Sequence, residues 1–177
     1  MIPVLETPRL ILRAPETADH ALYAAFLGRA DGPSAFYGGP LRPDEAFQRL
    51  AADRGHWALR GHGKWILERR SDGQAVGGCG LVHPPGWPRH ELTWWLAEEA
   101  RGAGLATEAS VAAIRWGYDV LGLDPVETHM RDENAAAHAL ARRLGGWVIA
   151  RERFPDGATR DVYALPHPDR TQREAMA

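Results

Sequence analysis

The spacing of hydrophobic residues changes on the two sides of one glycine turn near the middle of the chain. Residues Glu91 to Leu96 form an apolar, aromatic run between polar neighbours, which is typical of a buried strand. After Arg101-Gly-Ala-Gly104, apolar residues recur at helical spacing from Leu105 to Val120, and Gly122 stands where a helix often ends. The pattern predicts a strand, a sharp turn and a helix.

Such a turn has a chemical consequence, because the first N–H groups of a helix lack partners within the helix. Together with the positive end of the helix dipole they favour an anion, best a phosphate or pyrophosphate. An ordinary strand-to-helix connection would explain the two glycines equally well. The Gly-Lys-Ser/Thr of a P-loop is missing, and the glycine spacing differs from the dinucleotide-binding fingerprint.

The chain before this turn predicts two helices and three strands. An apolar run flanked by arginines predicts a first strand over Leu5 to Leu12, and residues 28–41, rich in glycine and proline, predict a loop. Residues 56–63 are ambiguous. The other predicted elements are a helix from Thr17 or Asp19 to about Leu27, a helix from Asp44, and a hairpin of Lys64 to Arg70 with Ala75 to Val82 around the turn signal at Ser71 to Gln74.

After the long helix, the chain predicts one more strand, a helix and a final hairpin. These are a strand over Val126 to Met130, a helix capped by Asn134 and ending at Leu144, and a hairpin of residues 147–154 and 159–165. Hairpins beside βαβ units predict a mixed sheet, in which the central strand, the long helix and the following strand form a right-handed crossover. We expect one domain over residues 1–165 and a polar, frayed tail over 166–177.

Composition narrows the function classes. The chain has 177 residues and a formal net charge of -2, so we expect no nucleic-acid partner. No apolar run approaches membrane-spanning length, and no signal peptide is evident, so we expect no membrane association. Cys79 is the only cysteine, which suits the cytoplasm, and its apolar surroundings indicate an inert core thiol. The eight histidines show no metal-ligand spacing, so we expect no metal.

Four segments, taken in order, resemble the GNAT superfamily of N-acetyltransferases, and within it the branch that acetylates ribosomal-protein N-termini. Arg101-Gly-Ala-Gly-Leu-Ala106 fits the acyl-CoA motif Arg/Gln-x-x-Gly-x-Gly/Ala of that superfamily. The other three segments are Leu5-Glu-Thr-Pro-Arg-Leu-Ile-Leu-Arg13, Gly73-Gln-Ala-Val-Gly-Gly-Cys-Gly-Leu81, and Asn134 followed by Arg142-Arg-Leu-Gly145. The set covers nearly the whole chain and is specific for the superfamily, although it does not identify a substrate.

The resemblance implies an α/β fold with a central mixed, largely antiparallel sheet of about six to seven strands and helices on both faces. It implies that acetyl-CoA is the cosubstrate and that a primary amine, of a protein N-terminus or a small molecule, is the acceptor; a homodimer is also compatible with it. The pantetheine arm of acetyl-CoA would pair with the backbone of Leu96 and Ala97 in a gap beside the central strand. The implied cofactor-binding residues are Leu96, Ala97, Arg101, Gly102, Ala103, Gly104, Leu105, Ala106 and Asn134.

Glu91 is the candidate catalytic residue, because members of this branch often carry a glutamate at the start of the central strand that acts as a base through water. A solvated or ion-paired glutamate is the alternative interpretation, just as Asn134 suits a plain helix N-cap. The chain departs from the family at Ala137 and Ala141, where many members carry the Ser or Tyr that protonates the departing thiolate. An acetyltransferase is therefore the first hypothesis, a non-catalytic acyl-CoA-binding module the second, and a structural partner-binding protein the third.

Overall fold

The computed structural model describes residues 1–30 and 32–170, without the side chains of residues 32 and 33. Its strands are β1 (Leu5–Glu6), β2 (Leu10–Arg13), β3 (Lys64–Arg69), β4 (Gln74–Val82), β5 (Glu91–Leu96), β6 (Val126–Met130), β7 (Trp147–Arg153) and β8 (Thr159–Leu165). Its α-helices are α1 (His20–Leu27), α2 (Pro43–Arg60), α3 (Leu105–Asp119) and α4 (Ala135–Arg143). Short 3-10 segments cover Thr17–Asp19, Gly32–Tyr37 and Glu98–Ala100. None of these helices is long and apolar enough to cross a bilayer.

The strands form two sheets, of order β1-β2-β3-β4-β5 and β6-β8-β7. The pairs β1–β2, β2–β3, β3–β4, β6–β8 and β7–β8 are antiparallel. The predicted mixed α/β class with largely antiparallel strands is confirmed. The difference is in the grouping, because the described residues place eight strands in two sheets, where the resemblance implied six to seven strands in one.

Side-chain hydrogen bonds link the start of β5 to β6 within the second compact unit of the chain, residues 81–93 and 107–177. Here side chains replace the backbone ladder: the Thr128 hydroxyl donates to the Leu92 carbonyl at 2.8 Å, and the Glu127 N–H donates to His90 Nε2 at 3.1 Å. The two strands are therefore linked without being ladder neighbours.

By contacts the chain divides into two compact units, the first of residues 1–80 and 94–106. Trp95 lies in its core, 4% exposed, and stacks on Phe26 with ring centroids 4.6 Å apart. A Cβ added to Gly78 would lie 2.6 Å from the Trp95 indole nitrogen, so β4 needs a glycine where this ring crosses it. Cys79 is buried in the same strand, as predicted for a core thiol.

The single N-terminal strand predicted over Leu5 to Leu12 is wrong, because this segment is the hairpin of β1 and β2. Thr7 makes the turn, since its hydroxyl accepts the Leu10 N–H at 3.0 Å. Pro8 lacks an N–H and cannot continue a ladder. The apolar run alone did not reveal this turn.

Helix α2 resolves the ambiguous stretch of residues 56–63. The helix continues to Arg60 and ends at Gly61, whose φ of +74° is left-handed. Within the predicted loop of residues 28–41, a 3-10 segment covers Gly32–Tyr37, and Asp31 lies outside the described residues.

The second unit comprises residues 81–93 and 107–177, described as far as residue 170. Strand β6 is buried along its whole length, and β8 lies between β6 and β7. The predicted final hairpin is confirmed by the antiparallel pairing of β7 with β8. Residues 168–170 form a short helical turn, and the predicted frayed tail falls mostly on residues 171–177, outside the described part of the chain.

Candidate functional site

The predicted strand, turn and helix around residues 91–120 are all present. Strand β5 ends at Leu96, and α3 begins at Leu105. Between them, Gly102 and Gly104 both have φ of +77°, in the left-handed region where a side chain would be strained. Residues 102–104 are exposed, so the backbone of this turn is accessible to a ligand.

The turn is open on the side where the glycines lack side chains. A Cβ added to Gly102 would meet no described atom within 4 Å, and one on Gly104 would meet only Arg9 Nη2, at 3.5 Å. The first N–H groups of α3 have no partner within the helix, and the helix dipole adds a partial positive charge. The geometry therefore fits a diphosphate group lying against the backbone.

Arg9 braces this turn from the start of the chain. Its Nη1 donates to the Ala103 carbonyl at 2.7 Å. The bond orients the peptide between the two glycines and keeps a positive side chain beside the turn. No local sequence pattern marks Arg9 as a partner of the turn, because the contact joins positions 94 residues apart.

The backbone groups of Leu96 and Ala97, predicted to pair with a pantetheine arm, have partners within the first unit. The Ala97 N–H donates to the Val76 carbonyl at 2.9 Å, and Arg101 Nε donates to the Leu96 carbonyl at 3.1 Å. Backbone groups alternate sides along a strand, so those of Trp94 and Leu96 face away from β4. The Tyr37 hydroxyl donates to the Trp94 carbonyl.

Asn134 is the N-cap of α4. Its Oδ1 accepts the Ala137 N–H at 3.2 Å, which confirms the cap; its cofactor role stays a prediction. Ala137 and Ala141 are 8% and 0% exposed, so these two positions of α4 offer only methyl groups.

Glu91 begins β5, with its side chain 25% exposed. Its Oε2 lies 3.5 Å from Nε2 of His129 on β6. His129 is 6% exposed, and this burial, which disfavours the charged ring, is the main reason that its pKa is lowered to about 4. The pair is therefore a carboxylate beside a neutral imidazole. No local motif marks His129; the signal that the sequence offered was a histidine inside the strand predicted over Val126 to Met130.

Aromatic rings surround His129. The Trp87 ring stacks on it at 5.6 Å between centroids, and the Phe154 ring lies at 4.2 Å. Trp87 and Phe154 also contact each other, at 5.5 Å, so the three rings form one cluster. This cluster holds the imidazole rigidly beside β5.

Arg89 anchors the segment that leads into Glu91. Its guanidinium pairs with Glu152 at 2.6 Å and with Glu127 at 2.7 Å. The hydrogen bonds that Arg89 donates to these carboxylates, most of all to Glu152, raise the pKa of Arg89 and lower the pKa of Glu152. The start of β5 is thereby tied to β6 and β7.

Among the described residues, one group of side chains has the spacing of a cation site, namely Asp132, His138 and Asp161. Arg151 pairs with both carboxylates, at 2.7 Å from Asp132 and 2.8 Å from Asp161. His138 Nδ1 lies 3.0 Å from the Tyr163 hydroxyl. Protein groups therefore engage all three side chains.

Comparison with known proteins agrees with this geometry. Residues 9–146 match the acetyltransferase (GNAT) domain family. The chain is 25% identical over 177 residues to "Uncharacterized N-acetyltransferase YoaA" of Bacillus subtilis (strain 168), with 95% of this chain and 99% of that protein covered. The crystal structure of an acetyltransferase from Agrobacterium tumefaciens str. C58 is 30% identical, with a TM-score of 0.83 over 94% of this chain and 95% of that one.

A further solved structure shares the fold at lower identity. It is RimL, the ribosomal L7/L12 alpha-N-protein acetyltransferase, in complex with coenzyme A, with 17% identity and a TM-score of 0.69. The match covers 95% of this chain and 99% of that one. With the family match spanning most of the chain, these findings show that the protein belongs to the GNAT acetyltransferase family.

Proposed function

We propose that this protein is an acetyl-CoA-dependent N-acetyltransferase that acts on a primary amine by direct attack. The observation that carries the proposal is the open glycine turn at the start of α3, where a Cβ on Gly102 would meet nothing within 4 Å. Membership of the GNAT family supports the acetyltransferase chemistry. A single catalytic domain over residues 1–165 and a cytoplasmic location complete the proposal; the buried thiol of Cys79 suits that compartment.

On the cofactor side, the N–H groups of residues 101–106 bind the diphosphate of acetyl-CoA, and Arg9 keeps their turn in shape. Leu96 offers its backbone to the pantetheine arm, once Arg101 releases the Leu96 carbonyl. The Ala97 N–H stays in the sheet with Val76, so Ala97 contributes only through its remaining atoms. Asn134 contacts the cofactor in addition to capping α4.

The reaction forms a bond from the amine nitrogen to the acetyl carbon and breaks the bond from that carbon to sulfur. The electron pair of the broken bond leaves with the thiolate of coenzyme A. An ammonium acceptor must lose one proton before attack and a second one afterwards; the thiolate takes up one proton and the other is released. Glu91 takes the first proton through a water molecule, because its carboxylate is partly exposed at the start of β5.

The acceptor is a protein N-terminus or a small-molecule amine. An α-amino group has a pKa of about 7.7–8.0, so a weak base such as a carboxylate can deprotonate it near neutral pH. The chain shares its fold with the ribosomal L7/L12 alpha-N-protein acetyltransferase, and an α-amino acceptor is compatible with that fold. At 17% identity the likeness does not identify a particular acceptor protein.

A second candidate function follows from α4. Ala137 and Ala141 offer no hydroxyl that could protonate the departing thiolate. A chain that binds acyl-CoA and transfers nothing would tolerate this loss. Under the enzyme proposal, water or a residue elsewhere supplies that proton.

The discriminating experiment measures release of the coenzyme A thiol from acetyl-CoA with a panel of peptides and small amines, and the mass of each product. The enzyme proposal expects amine-dependent thiol release with an equal amount of acetylated amine. Acetyl-CoA binding without thiol release from any acceptor would favour the binding module. Absence of acetyl-CoA binding would contradict both.

A further inference from the structure

His129 is buried without satisfying its own polar atoms. It is 6% exposed, and neither Nδ1 nor Nε2 has a hydrogen-bond partner among the described residues. Buried polar atoms are nearly always paired, because leaving them unpaired is costly. A histidine at this position therefore calls for a reason beyond packing.

The proposed base lies close to one edge of the ring. Nε2 lies 3.5 Å from Glu91 Oε2, and this contact does not have hydrogen-bond geometry. Trp87 and Phe154 pack on the ring and fix its plane, so a small movement of the more exposed Glu91 is what would close the gap. Catalytic hydrogen bonds are often long in free enzymes and tighten when substrate binds.

Burial and the nearby charges determine whether the His129 ring is protonated, and Glu91 determines which tautomer of the neutral ring is favoured. Arg160 of β8 and Arg89 before β5 oppose a positive charge on the ring, whereas Asp156 in the β7–β8 turn favours one. Burial is the largest effect, and together with Arg160 and Arg89 it outweighs Asp156 and holds the pKa at about 4, so the ring is neutral at pH 7. A carboxylate can only accept, so the tautomer with its proton on Nε2 is the one that gains from facing Glu91.

Resting on the proposed function, we propose that His129 is a positioning residue for Glu91. When an amine binds, the Nε2–H of His129 donates to the Glu91 carboxylate and holds that carboxylate in the orientation that receives the proton. The proton taken from the amine stays on Glu91, because the buried imidazole does not become charged. Since the donor stabilises the carboxylate form, Glu91 remains an effective base down to lower pH.

The test compares two substitutions in the full chain. His129→Phe keeps a flat ring without a donor, and His129→Gln restores an N–H near the position of Nε2. We expect His129→Phe to lower kcat/KM about tenfold at pH 7 and to move the acidic limb of its pH profile upward by about 0.5 units or more. His129→Gln should recover most of both changes.

The matched control is His138→Gln, also in the second unit. His138 is likewise buried, at 8% exposed, but its two ring nitrogens contact the Tyr163 hydroxyl and the Arg131 carbonyl. Its loss should lower stability without moving the pH profile. A pH profile of His129→Phe that coincides with wild type, at equal folded fraction, would overturn the proposal.

A measurement without turnover separates this proposal from the proposed function. The ¹⁵N resonances of the His129 ring report its tautomer in wild type and in Glu91→Ala. We expect the Nε2–H tautomer in wild type and a shifted Nε2 resonance in the variant. A ring that does not respond to loss of Glu91 would overturn the pairing alone, whereas absence of thiol release from wild type would overturn the acetyltransferase proposal and, with it, the catalytic use of the pairing.

Discussion

Arg9 Nη1 donates to the carbonyl oxygen of Ala103 at 2.7 Å, joining the start of the chain to the centre of the glycine turn. The peptide that Arg9 holds lies between Gly102 and Gly104, the two residues with the most backbone freedom in this segment. One side chain thus limits the motion of a turn that its own sequence would leave mobile. The proposed diphosphate site depends on that restraint.

Arg9→Met tests the restraint. Loss of the guanidinium should weaken acetyl-CoA binding about tenfold, close to 1.4 kcal/mol, because the turn loosens and a positive charge leaves its neighbourhood. Calorimetric titration measures the effect. The control is Arg70→Met, which removes the same charge from an exposed pair with Glu6 at 2.8 Å. Equal weakening by both variants would mean that only net charge matters.

Gly102→Ala tests the backbone of the turn. A side chain at this φ costs about 1–2 kcal/mol, and the added methyl group would enter the open space assigned to the diphosphate. Gly73→Ala is matched, because Gly73 has φ of +69° and also has no described atom near a built Cβ. Thermal unfolding should show a similar loss for both variants. Only Gly102→Ala should lose acetyl-CoA affinity, by about tenfold.

Glu91→Gln tests the proposed base. The amide cannot take a proton, so kcat at pH 7 should fall about a hundredfold. The acetyl-CoA dissociation constant should stay within about twofold, since the glycine turn keeps all of its contacts. Steady-state kinetics and calorimetry measure the two quantities. Unchanged kcat would show that Glu91 is structural.

The stability of the protein should fall in mild acid because of His129. Its pKa is about 4 in the folded chain and 6.5 in the unfolded chain, so between these values the unfolded state binds the additional proton. The contribution of neutral His129 to the free energy of unfolding is fully present above about pH 6.5 and is lost as the pH falls toward 4.

Between pH 7 and pH 5 this loss should reach about 2 kcal/mol, as measured by urea unfolding at each pH. His129→Phe has no such proton to bind and should flatten the curve by that amount. An equally steep curve for the variant would assign the acid sensitivity to other groups.

Sequence patterns sufficed wherever the structure depends on neighbours along the chain. The strand at Glu91–Leu96, the helix from Leu105 and the cap at Asn134 each follow from residues within one or two turns of each other. The turn at Thr7 was missed because it depends on one hydroxyl hydrogen bond rather than on an apolar period.

The unforeseen parts of the candidate site are contacts between distant positions. Arg9 reaches Ala103 and His129 faces Glu91 only after the strands are paired, and neither residue belongs to a local motif. The hydrogen bond from the Thr128 hydroxyl to the Leu92 carbonyl is likewise a contact between positions 36 residues apart.

Titration of acetyl-CoA into the wild-type protein, followed by calorimetry, tests the central claim most directly. If the backbone of residues 101–106 holds the diphosphate, one molecule of acetyl-CoA should bind per chain with micromolar affinity. S-acetylpantetheine, the same thioester without the diphosphate and the nucleotide, should bind far more weakly. Absence of heat up to high micromolar acetyl-CoA, or equal affinity for the two compounds, would contradict the account.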